Sequence, residues 1–184
     1  MRRITFFILI IGVLLCFVSA CKNKHEKKLV VELRRFKEKT ITLPDNMIAK
    51  SCDEQVPPDT TLLCCPLKMV VYVNQDGCQR CKLWSLLPIY MFILENQYLV
   101  NFGVVIILNT SDMETAYNVL TEMRFCKTVF YDLNGTFEHL NPHLPANEQF
   151  HTFLLNEDNR IVLVGNPVQN EQLKKLYLNE LNKK

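Results

Sequence analysis

A cysteine pair set at the junction of a strand and a helix constrains this chain more than any other feature. Leu67-Lys68-Met69-Val70-Val71-Tyr72-Val73 is rich in β-branched residues and reads as a strand, Asn74-Gln75-Asp76-Gly77 reads as a turn, and Cys78-Gln79-Arg80-Cys81 follows at once. Behind the pair, Leu83, Leu86, Leu87, Tyr90, Ile93 and Leu94 recur at three and four residues, which predicts a helix from about Gln79 to Asn96. Pro88 falls inside that span and predicts a kink, because proline removes one helical hydrogen bond. Unpaired N–H groups in the first turn of a helix carry partial positive charge, which stabilises a thiolate, the attacking form of cysteine. Cys78 is therefore the expected nucleophile. Cys81, one turn later and partly beneath it, is placed to resolve a mixed disulfide. Arg80 lies within the same turn, where its charge either supports the thiolate or faces solvent.

The rest of the chain supplies a sheet for this unit. Phe102 to Leu108 is wholly apolar, as a strand buried on both faces would be. Ser111 or Asp112 can cap a helix running to about Arg124, with Ala116, Val119, Leu120 and Met123 inward. A third strand fits Lys127 to Leu133, and a loop containing Pro142 and Pro145 follows. Thr152 to Leu155 and Arg160 to Val164 form a hairpin, and Glu171 to Leu181 a last helix. The order β-α-β-α-β-β-α describes an α/β fold, a central mixed sheet flanked by helices on both faces. Upstream, residues 22–40 carry Leu29, Leu33 and Phe36 at helical spacing, and the proline-rich stretch from Thr40 to Pro66 is expected to be extended, with one short strand near Ile41 to Leu43.

The first twenty residues are a different kind of segment: Arg2-Arg3, an apolar run from Ile4 to Val18, then Ser19-Ala20. That run is shorter than the roughly 20 residues that span a bilayer, so a signal peptide is expected rather than a membrane helix. Cys21 follows directly, and Val18-Ser19-Ala20-Cys21 resembles a bacterial lipobox, in which the cysteine thiol takes a diacylglycerol. The expected organisation is a lipoprotein signal peptide over 1–20, a tether and N-terminal extension over 21–61, and the folded domain over 62–184.

Charge and cysteine usage then bound the function. Arg2 and Arg3 are the only charged side chains in residues 1–20, so the 21 basic and 19 acidic residues of the whole chain leave the remainder neutral. No basic stripe interleaved with aromatics is present, so a nucleic-acid partner is not expected. An exported domain permits disulfides. Six cysteines remain beyond Cys16 and Cys21, namely Cys52, Cys64, Cys65, Cys78, Cys81 and Cys126, and their connectivity stays open among 15 pairings. A staple from Cys52 to Cys64 or Cys65 and a buried Cys126 thiol are the expectation. Cys64 and Cys65 are adjacent, which does not suit a tetrahedral four-cysteine cage, so no metal is expected. His139 and His143 read as surface residues of a proline-containing loop, and Trp84, Tyr90 and Phe92 as helix packing. No phosphate loop, Ser-His-Asp set or paired-acid site is recognisable, and no cofactor is expected.

The strand-CxxC-helix unit, the run Thr152-Phe153-Leu154-Leu155 leading into Asn156 to Val162, and Gly165-Asn166-Pro167 before the last helix resemble the thioredoxin-like superfamily. The likeness is to its membrane-anchored thiol-disulfide oxidoreductases and peroxiredoxin relatives, and it covers roughly Leu62 to Lys184. It implies a thioredoxin-like sheet, disulfide exchange at Cys78 and Cys81, exported protein thiols or disulfides as partners, a membrane-side thiol as electron donor, and a periplasm-facing position on a bacterial envelope membrane. A non-catalytic interaction module on the same fold is the alternative. Peroxidase chemistry at Cys78 ranks last, because no T-x-x-C precedes it. The chain departs from the family pattern in three respects: the residues around the cysteines, the cis-proline and the proton acceptor. Gly77 replaces the aromatic before the first cysteine, and Gln79-Arg80 replaces Gly-Pro. The cis-proline that faces the pair would fall at Phe150 or His151, where no proline stands, and Pro145 lies upstream. That register brings His151 near the cysteines, while no carboxylate flanks Tyr72 to take a proton from Cys81.

Overall fold

The structure is a computed structural model that describes residues 28–52, 57–99 and 101–183. The expected signal peptide and the lipidation site Cys21 lie outside the described residues. The chain divides into two units, 1–35 and Phe36–Lys184. Residues 28–35 of the first are helical and belong to α1 (residues 28–37), where Leu29, Leu33 and Phe36 predict a helix. The second unit holds a single mixed sheet.

Its strands are β1 (Ile48–Lys50), β2 (Leu67–Val73), β3 (Phe102–Asn109), β4 (Val129–Asp132), β5 (Thr152–Leu155) and β6 (Ile161–Val164), in the spatial order β1-β4-β3-β2-β5-β6. β2 and β3 pair in parallel along seven residues, from Leu67 opposite Phe102 to Val73 opposite Leu108. β3 and β4 are also parallel, whereas β1, β5 and β6 join antiparallel. Both central strands are covered on both faces, which is why their sequences are apolar throughout rather than alternating.

The two-residue period of a strand sorts these side chains into two cores. Met69, Val71, Ile106 and Leu108 face the larger one, where α2 (Gln79–Trp84), α3 (Leu87–Glu95), α4 (Met113–Glu122) and α6 (Glu171–Leu181) contribute Leu83, Phe92, Leu120 and Tyr177. Val70, Tyr72, Val105 and Ile107 face the other, which Phe36, Ile41, Phe130 and Phe137 of α5 (Thr136–Leu140) complete. Each such side chain, buried fully, stabilises the fold by about 1.5–3 kcal/mol. Phe36 and Phe153 meet edge-on at 5.4 Å between ring centroids, which pins the start of the unit to β5.

Several local expectations are corrected. The long helix behind the cysteines is two helices, broken at Ser85-Leu86, and Pro88 sits in the first turn of α3. At that position proline has no intrahelical bond to lose, so it marks a helix start and not a kink. Ile41 to Leu43 form no strand; Thr40 makes a lone bridge to Arg160, and the edge strand lies at Ile48–Lys50. The loop after β4 contains α5, which carries His139; Asp132 accepts the Thr136 and Phe137 N–H groups at 2.9 and 2.7 Å and so opens that helix. Trp84 is 40% exposed and not packed inside. Cys126 is exposed, and the free thiols of Cys64 and Cys65 exclude a staple from either to Cys52. Asp112, one of the two expected caps, caps α4 through the Thr115 N–H.

Candidate functional site

The site begins where β2 ends. Gly77 adopts φ +71°, a left-handed conformation that glycine takes without strain, and nothing stands within 4 Å of where a Cβ would be. The backbone conformation of the turn, rather than crowding, accounts for glycine at this place. Asn74 donates to the Asp76 carboxylate at 3.1 Å, which closes the turn and aims the chain at α2.

Cys78 is the N-cap of α2, with extended backbone angles, and its sulfur accepts the Cys81 N–H at 3.3 Å. A cysteine in that role has its sulfur against the unpaired donors of the first turn, the setting that lowers a thiol pKa. Cys78 and Cys81 are joined as a disulfide, with Cα atoms 5.3 Å apart, inside the usual range of about 4.4–6.8 Å. Both residues are exposed, so Cys81 does not lie beneath the surface.

No protein-family model matches the chain, and no functionally described protein matches it in sequence. Solved structures do match. One described as the thiol:disulfide interchange protein DsbE of Chlorobium tepidum is 16% identical, with a TM-score of 0.53 over 78% of this chain and 98% of that one. The C-terminal domain of a Bacteroides thetaiotaomicron protein described as a thiol-disulfide oxidoreductase is 11% identical, with a TM-score of 0.54 over 79% and 97%. The fold is thioredoxin-like.

Within this thioredoxin-like frame, the other candidate residues fall in separate places. Arg80 donates to both carboxylate oxygens of Glu122 on α4, at 2.9 and 2.8 Å, on an exposed surface. His151 is 5% exposed and follows a single 3-10 turn, Glu148–Phe150. Its Nε2 donates to the Pro145 carbonyl oxygen at 2.8 Å, and its Nδ1 is buried with no hydrogen-bond partner among the described residues. Its ring packs 5.4 Å from that of Tyr72, whose N–H donates to the His151 carbonyl at 2.9 Å. No peptide bond among the described residues is cis. No group of three or more potential metal-ligating side chains occurs among them either.

A cleft of about 300 Å³ runs beside α2, between that helix and the 3-10 turn, with Asn166 and Gln169 on its far wall. Lys82 and Ser85 face it. Lys82 stands one helical turn beyond Cys78, and its N–H donates to the Cys78 carbonyl at 3.1 Å. The Lys82 ammonium donates to the Asn74 side-chain oxygen and, at 2.8 Å, to the Glu148 carboxylate. That hydrogen bond, followed by the charge of Lys82, holds the Glu148 carboxyl below the ordinary range. Lys82 and Glu148 were not candidates in sequence. For Lys82 the signal was present, a cation at the i+4 position from Cys78. For Glu148 there was none, because 66 residues separate it from its partner.

Proposed function

We propose that the domain is an envelope thiol-disulfide oxidoreductase that exchanges disulfides with exported proteins through Cys78 and Cys81. The observation that carries this reading is the exposed disulfide whose first sulfur caps α2 at the end of the central strand β2. In exchange with a reduced partner, the partner's thiolate attacks the Cys78 sulfur, the bond between Cys78 and Cys81 breaks, and Cys81 leaves as a thiolate. A second partner thiolate then displaces Cys78, so the partner gains a disulfide and the pair two electrons. The reverse sequence reduces a partner disulfide and needs a membrane-side thiol donor to restore the pair. Anchoring through a lipid on Cys21 keeps the domain at the membrane, facing the periplasm. Among the described residues, no helix is long and apolar enough to cross a membrane. Intact mass of the membrane-extracted chain tests the anchor, and a Cys21 thiol without acyl mass would refute it.

Trapping tests the chemistry. Cys81→Ser should accumulate mixed disulfides with exported proteins at Cys78, and Cys78→Ser far fewer, because attack persists in the first variant while resolution is lost. Equal trapping by both variants, or none by either, would refute the assignment. The closed 3-10 turn at Glu148–Phe150 favours a second reading, a binding module whose disulfide is static, and that module would retain its partners without any covalent adduct.

A further inference from the structure

The outer side of α2 and α3 carries a stripe of exposed side chains. Cys81, Trp84, Pro88, Met91 and Glu95 follow one another at three and four residues, and Tyr98 stands in the turn beyond. Ser85 and Leu86, between the two helices, keep right-handed angles, with φ −69° and −75°, so the helical spacing carries across the break. Trp84 is 40% exposed, Met91 55% and Tyr98 70%. Of the nine large apolar side chains exposed among the described residues, these three include the only aromatics, and the other six are spread over α1, β1, the turn after β4, α5 and α6. No charged residue occurs from Leu83 to Leu94, and Glu95 beyond them is met by Lys174 at 3.6 Å.

Large apolar side chains exposed in a row mark a surface that meets another apolar phase. Tryptophan and tyrosine, apolar in the ring and polar at the tip, are the side chains that settle at the boundary between lipid headgroups and acyl chains. The dimensions of the chain put a bilayer within reach of this face. Seven peptide units lie between Cys21 and Lys28, the first described residue, and their span cannot exceed about 25 Å; α1 adds about 15 Å. A domain held so near an anchor at Cys21 meets the surface at an effective concentration on the order of millimolar, so a weak interfacial affinity is enough to dock it.

We propose that the stripe of Trp84, Met91 and Tyr98 is a membrane-docking face that lies on the headgroup boundary of the bilayer holding the anchor. The proposal rests on the lipid-anchored reading above and adds an orientation to it. Trp84 and Tyr98 seat their rings at the boundary, Met91 between them reaches toward the acyl chains, and Glu95 enters the headgroup layer as a pair with Lys174. Cys81 stands three residues before Trp84 and is the first member of the stripe. Docking therefore sets the disulfide at the edge of the bilayer, on the side from which a membrane-side thiol donor approaches.

Trp84 is the only tryptophan in the chain, so its fluorescence reports this face alone. The full chain, extracted from membranes, would be reconstituted into phosphatidylcholine vesicles with and without bromine on the acyl chains, a short-range quencher. Flotation reads attachment, intact mass reads the acyl group, and quenching of Trp84 reads docking. Brominated lipid should quench Trp84 by about twofold, as an indole seated at the headgroup boundary would be. Met91→Asp combined with Tyr98→Asp should abolish most of that quenching and leave flotation unchanged; both positions are exposed, so the fold tolerates the change. A chain that floats with Trp84 unquenched would overturn the proposal while the anchor reading stands. Quenching that the double substitution leaves intact would overturn it as well, because Trp84 would then meet lipid by another route. A shift of Trp84 emission that requires a membrane protein, with no quenching by lipid, would give the face to that protein instead. A floating chain without acyl mass would refute the anchor reading, and the quenching would still decide the docking.

Discussion

Replacing Glu148 with glutamine keeps an acceptor for Lys82, the cation one helical turn beyond Cys78, and leaves that cation's charge unpaired. The four-residue spacing of Cys78 and Lys82 would set Cβ atoms about 5–6 Å apart on a helix, and a separation of about 7 Å between ammonium and thiolate serves as the scale of the interaction. At that distance a unit charge is worth about 0.6 kcal/mol in water and about 2.4 kcal/mol at an effective dielectric of about 20. The partly exposed setting of Lys82 and Glu148 places the real value low in that span, about 1 kcal/mol. In the native protein Glu148 offsets most of it. Glu148→Gln should therefore lower the Cys78 thiolate pKa by about 0.7 unit, since one unit corresponds to about 1.4 kcal/mol. A more stable thiolate favours the reduced pair, so the reduction potential should rise by about 20 mV. The pH dependence of alkylation of the reduced protein reads the first quantity, and equilibration with glutathione mixtures the second. An unchanged or higher pKa would refute the placement of Lys82 and Glu148 as charges felt by Cys78.

Two further outcomes concern the scaffold. In Gly103→Ala, the new Cβ would lie 2.8 Å from the Cys65 sulfur and 2.9 Å from the Leu62 carbonyl oxygen, and a backbone atom cannot swing aside. A loss of about 1–3 kcal/mol is expected, seen by calorimetry as a Tm lower by roughly 2–10 °C; an unaltered Tm would contradict the close approach of the segment before β2 to β3. The Glu148 carboxyl, depressed by its bond from Lys82, binds its proton less readily folded than unfolded. Its contribution is present above the ordinary carboxylate value of about 4.3 and is lost as pH falls through the lower folded value. Acid unfolding of wild type should thus shed a small increment of stability below about pH 4 that Glu148→Gln lacks, and parallel acid transitions in the two would count against it.

How much of this was legible in sequence follows from the range of the interactions involved. β2, β3 and α4 announce themselves because burial on both faces, or on one helical stripe, writes a period into contiguous residues. Pro88 misleads because proline in the first turn of a new helix and proline inside a continuous one are the same letter; only the break at Ser85-Leu86 distinguishes them. β1 is three residues on a sheet edge, with no buried residue to set a pattern, and it exists because β4 offers it an antiparallel partner. At the site, the capping place of Cys78 follows from local order, whereas the ion pair of Lys82 with Glu148 depends on a loop returning after two strands and three helices.

The short length of α2 changes what governs the disulfide. Six residues of helix, about 9 Å, end before α3 begins, so the cysteines are not held by a long rigid rod. Leu83 roots α2 in the core, while Arg80 ties it to Glu122 on one flank and Lys82 ties it to Glu148 on the other, like guy ropes on a short mast. The Arg80 pair is exposed and the Lys82 pair partly so, and exposed pairs are worth under about 1 kcal/mol each to the fold. The tilt and charge of the disulfide can therefore be altered by surface substitution alone, while the packed sheet below stays as it is.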